Sequence, residues 1–266
     1  MDLELEGKTA IITGGSRGIG KAIARQLGLE GVDVALVARG REALEATARE
    51  LHEETGRRMI PIVADTASDE AVRAMVGEAA DAFGHLDILV NCAAKPGGQA
   101  PPPKLAEISD EIFWDDVNVK VMGYLRCARE VAPHMIRQGW GRIISISGMA
   151  ARSTGSIVGS MRNVAVVAMT KNLADELGPH GINVTVVHPA TTRTEKTAGV
   201  VAERARALGI DPSEVERRMG EGNAIKRLID AREIAYVVTF LASPKSIAIN
   251  GDVIAAGGGA GHSIYY

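Results

Sequence analysis

Along most of this chain, short apolar runs alternate with longer stretches whose apolar positions recur at helical spacing. The apolar runs at residues 8–13 (KTAIIT), 32–38 (VDVALVA), 59–64, 87–91 (DILVN), 141–147 (GRIISIS) and 182–188 (INVTVVH) are predicted strands. Helices are predicted over 18–30, 43–51, 69–83, 110–138, 159–177 and 231–241, with a closing strand at 252–256. Residues 94–103 read as a Pro/Gly loop. A strand followed each time by a helix argues for a parallel sheet with right-handed crossovers and helices on both faces. The predicted class is therefore α/β, a doubly wound, mostly parallel sheet of Rossmann type with strand order 3-2-1-4-5-6-7.

Residues 190–229 break this rhythm: the stretch is charged and helical in pattern. Asp211-Pro212 marks a helix start, with Asp as cap and Pro in the first turn. An insertion after the C-terminal end of a strand lies where ligands bind in open α/β sheets, so this segment is expected to be a substrate lid within a single domain spanning 1–266. With 266 residues, the chain is long enough for one such domain and too short for two full enzyme domains. Aromatic residues make up only 3%, so the core must be built from small aliphatics.

A net charge of −3 gives no reason to expect nucleic acid or anionic lipid as a partner. No apolar run reaches membrane-spanning length, and the polar, acidic MDLELEGK start does not read as a secretory signal. Cys92 and Cys127 have no metal or redox spacing. A cytoplasmic protein without a metal, acting on a small molecule, is expected.

The candidate chemistry begins at Thr13-Gly14-Gly15-Ser16-Arg17-Gly18-Ile19-Gly20, between the first strand and the first helix. Gly14 permits the tight turn, Gly18 lets the backbone approach a pyrophosphate, and Gly20 lets helix pack closely on strand. The helix N-terminus then offers N–H groups and partial positive charge to the phosphates. A carboxylate at the end of the second strand would bind the ribose 2′-OH of NAD; Ala38 stands there, followed by Arg39, with Arg17 and Arg41 close by. Guanidinium groups around a site without an acid suit a 2′-phosphate, which favours NADP(H) over NAD(H).

T-G-x-x-x-G-x-G at this place resembles the fingerprint of the short-chain dehydrogenase/reductase family, and further markers extend the resemblance from Lys8 to about Gly259. Asp65-Thr66 resembles the adenine-contacting pair. Asn91-Cys92-Ala93-Ala94 resembles the N-N-A-G element after the fourth strand. Asn118 resembles the helix Asn that helps hold active-site water, and Pro189-Ala190-Thr191-Thr192-Arg193-Thr194 resembles the P-G-x-x-x-T segment beside the nicotinamide. The resemblance implies cofactor contacts at Gly14, Ser16, Arg17, Gly18, Ile19, Gly20, Arg39, Asp65, Thr66, Asn91, Ala93, Pro189, Thr191 and Thr194. It also implies a homodimer or homotetramer built on the helices near 110–138 and 159–177.

In the family, a Tyr exchanges a proton with the substrate oxygen, a Lys four residues later lowers its pKa, and a Ser ends the fifth strand. Here Asn163-Val164-Ala165-Val166-Val167-Ala168-Met169-Thr170-Lys171 resembles K-A-A-V-x-x-x-T-K, which puts Gly148, Gly159 and Asn163 in the Ser, Tyr and Lys positions. Sliding the helix by two residues puts Met161 and Ala165 there instead. No tyrosine lies between residues 125 and 235, so neither register supplies a phenol. The substitute candidates are Asn118, Ser147 and His188; the histidine is expected near the nicotinamide and titrating near neutrality. Tyr265 and Tyr266 are a further candidate, reaching a neighbouring subunit's pocket. Three readings follow: an oxidoreductase acting on a carbonyl or alcohol without the Tyr–Lys pair, a non-redox lyase, hydratase or isomerase, or a binding subunit that keeps NADP(H) structurally.

Overall fold

The computed structural model describes residues 1–95 and 102–261. Its centre is a seven-stranded sheet of β1 (Thr9–Thr13), β2 (Asp33–Ala38), β3 (Met59–Val63), β4 (Ile88–Asn91), β5 (Gly141–Ile146), β6 (Ile182–Pro189) and a last strand, Val253–Ala256. All pairings are parallel, in the order β3-β2-β1-β4-β5-β6 and then the last strand. The predicted doubly wound order holds, with one renumbering. Two short strands, β7 (Thr192–Arg193) and β8 (Ile229–Asp230), precede the last one, which becomes β9.

Strand alternation sends side chains to opposite faces of this sheet. Ala10, Ile12, Val34 and Leu36 join one core with α1 (Gly18–Leu29), α2 (Arg41–Thr55) and the closing helix Ala231–Ala242. Ile11, Ala35 and Val37 join the other, with α3 (Asp69–Phe83) and two long helices of the second half. Both faces are buried, which is why the strands read as near-continuous aliphatic runs.

The helix predicted over 110–138 is interrupted. It comprises α4 (Asp110–Val117), a π-helical turn over Asn118–Met122, and α5 (Gly123–Gln138). A π turn carries an extra residue, which rotates everything on one side of it relative to the other. Helix α6 (Ile157–Leu177) begins two residues before the predicted start, where the Ser156 hydroxyl caps the Gly159 amide at 3.1 Å.

The insertion forms a small unit of its own. Helices α7 (Thr197–Leu208) and α8 (Pro212–Gly220) pack Val201, Ala205 and Val215 together, and β7 and β8 pair parallel at its base. The closing helix, α9, follows directly on β8, and the predicted cap at Asp211 is present.

Candidate active site

The turn between β1 and α1 is shaped by close approach. A Cβ on Gly20 would stand 2.2 Å from the Gly14 carbonyl oxygen, so only glycine lets this helix start against the strand. Gly14 and Gly18 have φ of +70° and +59°. A Cβ on Gly14 would meet the backbone of Cys92 and Ala93 at 3.0 Å, which draws the ends of β1 and β4 together. The Thr13 hydroxyl oxygen accepts from the Cys92 and Ala93 amides at 3.0 and 3.1 Å. The Ser16 carbonyl accepts from the Thr47 hydroxyl. Arg17, Arg39 and Arg41 are exposed at the rim. Arg39 stands 3.9 Å from Asp65, another predicted site residue, and the neighbouring Thr66 packs against Gly123.

On the far side of the turn, β6 ends at the buried Pro189, and Thr191 is exposed. The Thr194 methyl lies 3.6 Å from where a Gly18 Cβ would be, and the Glu195 carboxylate accepts from the Gly18 amide at 2.9 Å. The segment after β6 therefore closes over the opening turn of α1, bringing together predicted residues from three separate stretches of sequence.

The second cluster lies beyond the ends of β4, β5 and β6. A Cβ on Gly148 would sit 3.1 Å from Asn163 Nδ2, so these two positions face one another. Gly159 is one turn earlier on α6, against its cap Ser156. The Gly148 amide donates to His188 Nδ1 at 3.3 Å. The Asn163 and Asn91 side-chain carbonyls and His188 Nε2 are buried without a partner among the described residues.

Three predicted site residues have partners or surroundings of their own. His188 is fully buried; desolvation, with help from Arg152 and Lys120, pushes its pKa down to about 4, so it stays neutral near pH 7. The Ser147 hydroxyl donates to the Asn163 backbone carbonyl at 3.3 Å. The Asn118 Oδ1 accepts from Arg126 on α5 at 2.9 Å. Tyr265 and Tyr266 lie outside the described residues, as does most of the loop predicted at 94–103.

The polar side chain that the π turn delivers to the cluster is Lys120, which the sequence reading missed. It is 3% exposed, and its Nζ donates to the Ser147 carbonyl at 2.9 Å. One helical turn on, the buried Tyr124 hydroxyl donates to the neighbouring Ile146 carbonyl at 2.9 Å. Burial is the main reason that the Lys120 pKa falls to about 7; the nearby Arg162 adds to this, while Cys92 and Asp116 oppose it. Arg162 forms an ion pair with Asp116 beside it. Desolvation pushes the Cys92 thiol up to about 12 and the Tyr124 phenol well above its ordinary value.

A cleft of about 230 Å³ opens beside the cluster, lined by Met149, Arg152, Ala255, Gly257 and Gly259 through Gly261. A larger surface hollow on α4 and the π turn is lined by Trp114, Asn118 and Met122 among others. Among the described residues there is no His, Cys, Asp or Glu cluster able to hold a metal ion, and no helix is long and apolar enough to cross a membrane.

Comparison with known proteins gives a consistent picture. Residues 8–205 match the family model described as short chain dehydrogenase. The chain is 37% identical over 252 residues to the short-chain reductase protein NovJ of Streptomyces niveus, covering 94% of this chain and 92% of that one. It is 34% identical to the 3-oxoacyl-(acyl-carrier-protein) reductase FabG of Staphylococcus epidermidis, covering 95% and 98%. Among solved structures, L-sorbose reductase from Gluconobacter frateurii, complexed with NADPH and L-sorbose, superposes with a TM-score of 0.91 at 31% identity over 98% of each chain. An actinorhodin polyketide ketoreductase with NADPH gives 0.85 at 31% identity, covering 94% of this chain and 96% of that one.

Proposed function

Because this chain belongs to the short-chain dehydrogenase family and is an oxidoreductase of that type, we propose that it uses NADP(H) to interconvert a small carbonyl compound and its alcohol, without the family's Tyr–Lys pair. The observation that carries this reading is the turn from Gly14 to Gly20. It combines a glycine-only contact at Gly20 with exposed Arg17 and Arg39, and no carboxylate ends β2.

The turn suits a dinucleotide on its own chemistry. The Gly18 amide already holds an anionic oxygen, that of Glu195, where a phosphate oxygen would be bound. Arg39 and Arg17 would hold the 2′-phosphate; Gly14, Ser16, Ile19 and Gly20 line the approach of the pyrophosphate. Asp65 and Thr66 would flank the adenine, and Asn91, Ala93, Pro189, Thr191 and Thr194 the nicotinamide half. A bound reduced nicotinamide supplies hydride to the carbonyl carbon. Gly148, Gly159 and Asn163 carry no group able to give the matching proton, which is the sense in which the triad is substituted. NADPH in the sorbose reductase and polyketide ketoreductase complexes supports the choice of nucleotide.

Residues 190–229 serve as the substrate lid in this reading, since they join the sheet at the end of β6, beside the cluster. Exposed Ile112, Trp114, Met161 and Val164 on α4 and α6 support a homodimer or homotetramer. Fluorescence titration with NADPH and NADH, followed by carbonyl reduction at 340 nm, tests the proposal. Preference for NADPH with turnover is the expected result. Binding without redox turnover of any carbonyl favours the non-redox or binding-subunit readings, and binding of neither nucleotide removes the proposal altogether.

A further inference from the structure

We propose that Lys120 is the proton donor and acceptor for the substrate oxygen, replacing the absent phenol from a different helix. The inference rests on the oxidoreductase reading and deepens it. The pocket at the ends of β4, β5 and β6 is where an open α/β sheet binds its ligand. Around it, Gly148 and Gly159 have no side chain to offer, and Asn163 is a neutral amide. Lys120 is carried by the π turn before β5 instead of the helix after it, and its Nζ rests on the carbonyl of Ser147, next in sequence to Gly148. An ammonium nitrogen has three N–H bonds; among the described residues one is used, on Ser147.

The groups facing this nitrogen from each wall do not compete for the role. Cys92, after β4, keeps its proton because its thiol is pushed up to about 12. Asp116 on α4 and Arg162 on α6 neutralise one another. His188 on β6 is held neutral and accepts from the Gly148 amide. Tyr124 donates its hydroxyl hydrogen bond to the Ile146 carbonyl and keeps its proton, since burial pushes the phenol well above its ordinary range. Lys120, with a pKa near 7, is left as the member of the cluster that exchanges a proton at neutral pH.

In the reductive direction the carbonyl carbon gains hydride and the carbonyl oxygen takes a proton from Lys120. One N–H bond breaks, one O–H bond forms, and a neutral amine remains, which regains its proton from solvent. Oxidation of the alcohol runs the same transfers backwards, with the neutral amine as base.

The decisive experiment needs no knowledge of the natural substrate. Oxidised and reduced nucleotide differ by a positive charge on the nicotinamide ring, so a titrating amine beside that ring must lose protons when NADP⁺ binds. Calorimetric titration of NADP⁺ and of NADPH at pH 7, in buffers of different ionisation enthalpy, counts those protons; the 2′-phosphate contributes equally to both and cancels. Wild type should release about 0.3 proton more with NADP⁺ than with NADPH, and Lys120→Met and Lys120→Gln should lose that difference. With ethyl acetoacetate or L-sorbose as probe, kcat should fall about 10²- to 10⁴-fold in Lys120→Met. Nucleotide affinity should move less than about threefold, since a remote amine adds little to pyrophosphate binding. Equal proton release in wild type and variants, or undiminished turnover in Lys120→Met, overturns the assignment while leaving the oxidoreductase reading in place. Failure of wild type to bind either nucleotide overturns both.

Discussion

The Glu195 carboxylate accepts a hydrogen bond from the Gly18 amide at 2.9 Å, joining the segment after β6 to the first turn of α1. A dinucleotide phosphate would claim the same amide, so the carboxylate competes with it and repels it. Glu195→Ala should therefore tighten NADPH binding about two- to fivefold, the weight of a charge at a helix N-terminus. Fluorescence titration at low salt measures this; a weaker complex would mean that Glu195 assists binding.

Gly20 leaves no room for a side chain. A methyl group placed 2.2 Å from the Gly14 carbonyl oxygen must push α1 off the strand. Gly20→Ala should cost about 1–3 kcal/mol of stability, the usual range for overpacking, and should weaken nucleotide binding further. Urea unfolding midpoints compared at equal slope give the number. A variant as stable as wild type would show that the turn is more pliant than its contacts imply.

Arg39 offers a test of nucleotide choice. It is exposed, and a carboxylate in its place would meet a ribose hydroxyl well and a phosphate badly. Arg39→Asp should weaken NADPH about 10- to 100-fold, the loss of a charge-assisted hydrogen bond, and improve NADH. Dissociation constants for the two nucleotides, measured on the same preparation, decide the matter.

The buried ammonium makes a thermodynamic prediction independent of catalysis. Lys120 has a folded-state pKa near 7, against about 10.4 when unfolded. Between those values the unfolded chain binds more protons, so stability rises with pH across that window. The favourable contribution is fully present only above about pH 10 and is lost as pH falls through 7, an upper bound on the order of 4–5 kcal/mol. Thermal scans of wild type and Lys120→Met from pH 6 to pH 10 should show the variant the more stable of the two at low pH, with the gap closing as pH rises. Parallel curves would place Lys120 in a wetter setting.

The sheet order, both cores and the glycine turn were legible because strand and helix periods write themselves into the order of apolar residues. The inward lysine was not. A continuous helix over 110–138 keeps Asn118 facing the sheet, but the π turn adds a residue within Asn118–Met122 and turns Lys120 inward instead. Gly123 carried the available signal: a glycine packed on Thr66 marks the helix face nearest the sheet, and Lys120 lies one turn earlier on that face. His188 was placed correctly at the end of β6, but its titration depends on burial that no local pattern states. Strands β7 and β8 have two residues each, too few to show an alternation.

The two ends of the insertion are tied together at those strands, and polar contacts do much of the tying. Arg193 bridges Glu216 and Asp230, and Arg227 grips Glu233 at the start of α9, all at least partly in contact with water. Its apolar centre is small and separate from the cores of the sheet. Such a piece is expected to open as a unit while the rest of the molecule stays folded, so its amides should exchange with solvent sooner than those of β1 or β5. Because the clasp is ionic and wet, added salt loosens it. Ionic strength should thus set how often the insertion opens, and amide exchange compared at low and high salt measures it.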